Sequence, residues 1–264
     1  MTLTKLTINA MPLKLITVSC LQDNYAFIVY NPETLETALI DAPEASPIEA
    51  ALDKLELELN WILITHHHND HIDGVNKLRL NGAKVVGSSA DAHRLPDLDH
   101  SVSANDTLKI CGEKCEIYGA DGHTVGHIAF HFPESKILCT ADSLMALGCG
   151  RLFEGTPAQM WDTMQRFRDL PDETIICSGH EYTLSNGAFA ATIEPENAEL
   201  LARIDEVKNK REKGLPTVPS FLSVEKDTNP YFRVDKPELK TAIGMKDATD
   251  LEVFTEIRRR KDNF

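Results

Sequence analysis

Residues 61–71 leave few folds open to this chain. The run Trp61-Ile-Leu-Ile-Thr65 has the apolar, β-rich character of a buried strand and passes without a linker into His66-His-His-Asn-Asp-His71. Side chains alternate as a strand leaves its sheet, so His66 and His68 project to one side and His67 to the other. Asp70 and His71 then fall at the turn into a helix-like run that begins near Ile72, within reach of a second point a few ångströms away. One short loop can thus serve two metals. Single residues of the same kind recur beside later apolar β runs: His127 closes Gly122-His-Thr-Val-Gly-His127, Asp142 closes Cys139-Thr-Ala-Asp142, and His180 closes Cys177-Ser-Gly-His180.

Imidazole and carboxylate donors suit zinc, Fe(II) or manganese, and the absence of thiolate among them points to a catalytic rather than a structural metal. Burying Asp70 and Asp142 among these imidazoles with no cation would cost several kcal/mol per unpaired charge. His66, His68, Asp70, His71, His127, Asp142 and His180 are therefore expected to be metal ligands. Isolated histidines such as His93, His100 and His131 are expected to be merely packed or exposed.

Around this loop the first two-thirds of the chain alternates short β-rich runs with helical patterns near 46–59, 72–81, 157–169 and 186–192. This is an α/β arrangement with too many strands for a plain doubly wound sheet. From Glu194 the strand signals nearly stop. Leu200, Leu201, Ile204 and Val207 recur at helical spacing until Gly214 and Pro216, and after a proline-rich connector a last helical pattern carries Leu251, Phe254 and Ile257. The expected division is a catalytic domain over 1–185 and a small helical substrate-binding domain over 186–264.

The formal net charge of -14 disfavours a nucleic-acid partner, which clustered Lys and Arg would have to serve. No run approaches the roughly 18 apolar residues of a membrane span. The six cysteines lie in apolar segments without a C-x-x-C pair, as in a cytosolic protein with reduced, buried thiols. The first 22 residues, with Lys5, Lys14 and no acid, have weak transit-peptide character, although Leu13–Val18 fits a first strand better. A cytoplasmic monomer is expected, with a mitochondrial location the weaker alternative.

The motifs T-H-x-H-x-D-H and G-H-T-x-G-H, with the later Asp and His, resemble the signature of the metallo-β-lactamase superfamily. Within it, Asp23-Asn-Tyr25, Gly148-Cys-Gly-Arg-Leu-Phe-Glu-Gly155, Gly179-His-Glu-Tyr-Thr183 and Arg258-Arg-Arg-Lys261 resemble the glyoxalase II, or hydroxyacylglutathione hydrolase, family over nearly the whole chain. The resemblance implies an αββα metallo-β-lactamase sandwich with a small C-terminal helical domain. It implies His66, His68 and His127 on one metal, Asp70, His71 and His180 on the other, and Asp142 bridging them. It also implies that Arg151, Tyr182, Arg258 and Lys261 hold the glutathione part of S-D-lactoylglutathione. Three departures stand out: Ala141-Asp142-Ser143 where the family often has Gly-Asp-Thr, Phe153 where it often has Tyr, and Asp41-Ala-Pro43 where many relatives have Asp-Pro-Gly. Asp41 is either an acceptor that orients a ligand histidine or a turn residue.

The activity so implied is hydrolysis of a glutathione thioester to glutathione and a 2-hydroxy acid. Two divalent ions are expected, with zinc favoured by affinity order and iron or manganese as alternatives. A water shared between them is acidified from a pKa of 15.7 toward about 7 and attacks the carbonyl, with Asp70 the catalytic side chain among the ligands. A thiol leaving group with a pKa near about 8.5 departs unprotonated. A lactonase or other thioesterase on the same fold, or a non-catalytic metal-binding scaffold, are the alternatives; turnover of a glutathione thioester separates them.

Overall fold

The structure, a computed structural model, describes residues 12–264. Part of the stretch with transit-peptide character, Lys5 included, lies outside the described residues. Two six-stranded sheets form the centre. The first runs in the order β1 (Lys14–Cys20), β2 (Asn24–Tyr30), β3 (Thr37–Ile40), β4 (Leu59–Leu63), β5 (Lys84–Ser88) and β6 (His100–Val102). The second contains β7 (Thr107–Ile110), β8 (Glu113–Gly119), β9 (Ile128–Phe132), β10 (Ile137–Ala141), β13 (Ile175–Ser178) and β14 (Ser220–Phe221), side by side in that order. A small hairpin, β11 (Leu144–Met145) with β12 (Gly148–Cys149), lies between β10 and β13 in the chain.

Apolar alternation decides what each face meets. Along β2, Tyr25, Phe27 and Val29 point between the sheets and meet the cluster of Ile117, Phe130 and Phe132 from the second sheet. Ala26 and Ile28 point outward, where they pack with Ile48 and Leu52 of α1 (Ala45–Leu55). A strand buried on both faces needs an unbroken apolar run, which β2 supplies from Tyr25 onward. The second sheet repeats the scheme: Ile137 and Cys139 face inward, while Leu138 faces Met164 and Phe167 of α4 (Pro157–Arg168). Helix α4 starts on a capping box in which Thr156 and Gln159 satisfy each other's backbone N–H groups, with Pro157 in the first turn. The expected αββα sandwich is thus present. The six cysteines are free and buried, and no helix among the described residues is long and apolar enough to cross a membrane.

Several element limits differ from expectation. The helix expected to reach residue 59 stops at Leu55, because Glu56 takes a left-handed conformation (φ 55°) that turns the chain into β4. The single helix expected over 72–81 is broken into one-turn pieces, α2 (Asn69–Ile72) and α3 (Val75–Leu78). The boundary expected at residue 185 falls inside α5 (Thr183–Ile193). Beyond it, α6 (Ala198–Glu212), α7 (Leu222–Thr228), α8 (Pro237–Ala242) and α9 (Asp250–Asp262) follow. Val253, Phe254 and Ile257 of α9 share one apolar cluster with Met160 and Trp161 of α4, and β14 adds a strand beside β13. The C-terminal helices therefore complete the outer layer of the second sheet.

Candidate metal centre

The loops that follow β3, β4, β8, β10 and β13 meet along one edge of the sandwich and bring two sets of donors together. In the first set, donor atoms of His66, His68 and His123 lie within 4.8 Å of one another. His66 Nδ1 is 3.0 Å from Thr65 Oγ1, which itself donates to Asp41 Oδ2 at 2.8 Å, so the ring's Nε2 carries the lone pair. His123 Nδ1 donates to the Arg151 carbonyl at 2.7 Å, turning its Nε2 toward His68 Nδ1 at 3.0 Å.

In the second set, donor atoms of Asp70, His71 and His180 lie within the same distance of one another. His71 Nδ1 donates to Asp41 Oδ2 at 2.8 Å and His180 Nδ1 to Asp23 Oδ1 at 2.9 Å. Asp142 stands between the sets: its oxygens are 3.5 Å from His71 Nε2, 3.2 Å from His180 Nε2 and 3.4 Å from His123 Nε2. Asp41 spends both oxygens on Thr65 and His71, so it supports imidazoles from behind. The tight approach needs small residues: a Cβ on Gly179 would sit 2.4 Å from Asp142 Oδ1 and 2.8 Å from His71 Cε1.

These groups fit divalent cations. His66 Nε2, His71 Nε2 and Asp142 Oδ1 are buried with no hydrogen-bond partner, a costly arrangement that a cation would relieve. The outer nitrogens of His66, His71, His123 and His180 are each anchored, as metal-bound imidazoles require.

His127, expected on the first metal, joins neither set. Its carbonyl accepts from the Ala120 N–H at 2.8 Å as the chain enters β9, and its ring stacks on His66 at 4.6 Å between centroids. Both ring nitrogens are buried without partners, and burial pushes its pKa down to about 3, which keeps the ring neutral. His123 is the ring that stands beside His66 and His68. The reason lies in the backbone: Gly122 (φ 144°) and Gly126 (φ 91°) turn the loop so that His123 faces the other donors. The two glycines flanking His-Thr-Val were the available signal for such a turn.

The two sets differ as acids. Burial, reinforced by neighbouring imidazoles, holds His66, His68 and His123 below the ordinary histidine value. Burial also acts downward on His71 and His180, but Asp142, aided by Asp41 on one ring and by Asp70 and Asp23 on the other, outweighs it and raises them to about 10 and about 12. The hydrogen bond from His180 holds the Asp70 carboxyl well below the usual carboxylate range.

A cavity of about 450 Å³ opens over the donors, and His68, Asp70, His123, Asp142 and His180 share its lining with Arg151, Phe153, Tyr182, Arg258 and Lys261. Tyr182 stacks on His180 at 4.7 Å. Phe153, 61% exposed, stands edge-on to His68 and His123. Arg258 is buried and already committed, donating to the Cys149 carbonyl at 3.0 Å and to Asp262 at 2.7 Å. Lys261 is freer, its Nζ 3.4 Å from the Ser185 carbonyl. Arg259 and Arg260 bind Glu256 and take no part in the lining.

Comparisons with known proteins agree with this architecture. A family model described as "Hydroxyacylglutathione hydrolase C-terminus" matches residues 181–264, and one described as "Metallo-beta-lactamase superfamily" matches residues 25–109. A hydroxyacylglutathione hydrolase of Cereibacter sphaeroides is 54% identical over 255 residues, covering 96% of this chain and 100% of that protein. Among solved structures, the BLEG-1 B3 metallo-β-lactamase superposes with a TM-score of 0.63 at 20% identity, covering 83% of this chain and 99% of that one. TTHA1623, solved in a di-iron-bound form, superposes with a TM-score of 0.60 at 21% identity, again covering 83% and 99%.

Proposed function

This chain belongs to the hydroxyacylglutathione hydrolase family of the metallo-β-lactamase superfamily, and from that premise we propose that it hydrolyses S-D-lactoylglutathione and related glutathione thioesters to glutathione and a 2-hydroxy acid. The observation that carries the proposal is one cavity holding both the metal donors and the basic side chains Arg151, Arg258 and Lys261. Hydrolytic machinery and anion recognition thus share one space.

We assign His66, His68 and His123 to one divalent ion, Asp70, His71 and His180 to a second, and Asp142 to both. Zinc is favoured by affinity order, with iron or manganese entering where they are more available. Ions held there supply Lewis acidity, which acidifies a water at neutral pH and withdraws charge from the thioester carbonyl. Asp70, its carboxyl held low, is too weak a base to take a proton at neutral pH, so its part is to hold charge and orient. Asp41 and Asp23 keep the Nδ1 protons of His71 and His180 turned outward. No general acid is called for, since a thiol with a pKa near about 8.5 leaves as the thiolate. Arg151 and Lys261 are the cations free to meet glutathione carboxylates, while Arg258 shapes the wall they stand on. All these groups come from one chain, consistent with a monomer, for which we propose a cytoplasmic location.

The deciding experiment is thiol release from S-D-lactoylglutathione by metal-loaded protein, beside a lactone and a β-lactam. Preferred turnover of the thioester is expected. Turnover of the lactone or lactam without the thioester would overturn the proposal.

A further inference from the structure

The end of the β1–β2 turn and the start of β2 carry three consecutive residues that neither bind the proposed ions nor line the substrate cavity, yet two bond to the second donor set and the third to residues on either side of His180. Asp23 Oδ1 accepts from His180 Nδ1 at 2.9 Å. Asn24, buried, donates through Nδ2 to both the carbonyl oxygen and the Oδ2 of Asp70, each at 3.0 Å. Tyr25 donates from its hydroxyl to Glu181 Oε2 at 2.7 Å, and Glu181 also accepts from the Thr217 N–H at 2.8 Å. The main chain joins in: Tyr25 N–H donates to the Gly179 carbonyl and Glu181 N–H to the Asp23 carbonyl, both at 2.8 Å, with Asn24 and His180 forming an antiparallel bridge.

Asp70 and His180 come from loops far apart in the chain, and two adjacent residues, Asp23 and Asn24, hold them both. The Asp70 side chain is 42% exposed, so packing alone does not fix its carboxylate; beside the His180 ring, the Asn24 amide holds it. The first donor set is oriented by other groups, Thr65 behind His66 and the Arg151 carbonyl behind His123.

We propose that Asp23, Asn24 and Tyr25 form a positioning strap for the second ion site alone, Asn24 setting the Asp70 carboxylate and Asp23 the His180 ring. The strap rests on the two-ion assignment made above. Outer partners of metal ligands contribute about 10–100-fold in metal affinity, and here that contribution falls on one of two neighbouring sites.

The test is a metal titration of stripped full-length protein against a competing chelator, with Zn²⁺ and with Co²⁺ followed by its absorption, independent of turnover. Wild type should take up two equivalents. Asp23→Ala and Asn24→Ala should keep the first and bind the second about 10–100-fold more weakly. Asp23→Asn, which retains an acceptor oxygen, should recover part of the loss, and Tyr25→Phe should show the least. The Asp23 side chain is 40% exposed, so its truncation leaves the core intact and carries the test should Asn24→Ala not fold. Two wild-type equivalents with unchanged or equally weakened binding at both sites in Asp23→Ala would overturn the strap and leave the two-ion assignment standing. A wild type that saturates at one equivalent would overturn the assignment and the strap with it.

Discussion

His66, His68 and His123 have no carboxylate bonded to their outer nitrogens, whereas His71 and His180 each lean on one, Asp41 and Asp23. The same side chain is thereby made into two kinds of donor. In the first set burial disfavours the imidazolium, and the rings offer lone pairs at neutral pH. In the second set the surrounding anions favour it, so an arriving cation must displace protons but meets negative charge when it does. A site for two like ions need not be symmetric, and its asymmetry is set by what stands behind the ligands.

The largest expected effect falls on the residue common to both sets. Asp142→Ala should lower metal content at both sites and reduce kcat/KM by at least about 100-fold, more than the loss of an outer partner. Elemental analysis beside a thioester assay checks this; full occupancy in the variant would show that the two sets stand alone.

His123→Ala and His127→Ala sharpen the comparison within the first set. The first should lose that set's ion while keeping its fold. The second should keep both ions and lose about 1–3 kcal/mol of stability for the space it leaves. Metal content and Tm of the two variants separate these outcomes, and the reverse pattern would restore His127 as the ligand.

Acid should act unequally on the halves. His71 and His180, raised to about 10 and about 12, hold protons throughout the neutral range in the absence of an ion, so affinity for the second ion should climb steadily with pH. His66, His68 and His123, lowered by burial, are already deprotonated at neutral pH, and affinity for the first ion should be nearly flat there. The sign reverses for stability of the stripped protein. A raised folded-state pKa stabilises fully below the unfolded value near about 6.5, and that stability is lost as pH rises through the folded pKa values. Stripped protein should therefore lose Tm in alkali. Titration calorimetry at several pH values, with equal slopes for both ions, would erase the contrast.

The smallest effect concerns the cavity wall. Lys261→Ala should raise KM roughly tenfold, about the worth of one charge-assisted hydrogen bond, with kcat and metal content unchanged. Arg258→Ala should raise KM and also lower Tm, because its guanidinium supports the Cys149 carbonyl, and Arg259→Ala should do neither. KM and Tm measured across the three variants would show whether Arg258 and Lys261 differ in this way.

The loop from His66 to His71 was legible because a strand and its ligands are continuous in the chain and alternation says which side chains share a side. That His123, not His127, meets His66 and His68 was not, because it depends on two positive-φ glycines that turn the loop. The end of α1 at Glu56 is hidden for a similar reason: a left-handed glutamate carries no sequence mark. The part of Asp41 is open in the sequence, between turn and support, and the convergence of Thr65 and His71 on its carboxylate decides for support. The helical character of α6 and α9 followed from apolar spacing, whereas α7 and α8 lie in the stretch read as a proline-rich connector, and the place of all four against the second sheet depends on contacts that no local pattern records.

That last placement bears on solubility. Strand β14 has only two residues, yet it covers the edge of β13, whose own sequence, Ile-Ile-Cys-Ser, is mostly apolar. An uncovered apolar edge is a template for pairing with a neighbouring chain. A polypeptide cut at residue 185 would retain every metal donor and still bare that edge, together with the Met160 and Trp161 surface that α9 shields. Such a fragment is expected to aggregate rather than serve as a minimal hydrolase, so the segment proposed to recognise substrate would also be the one that keeps the rest of the chain in solution.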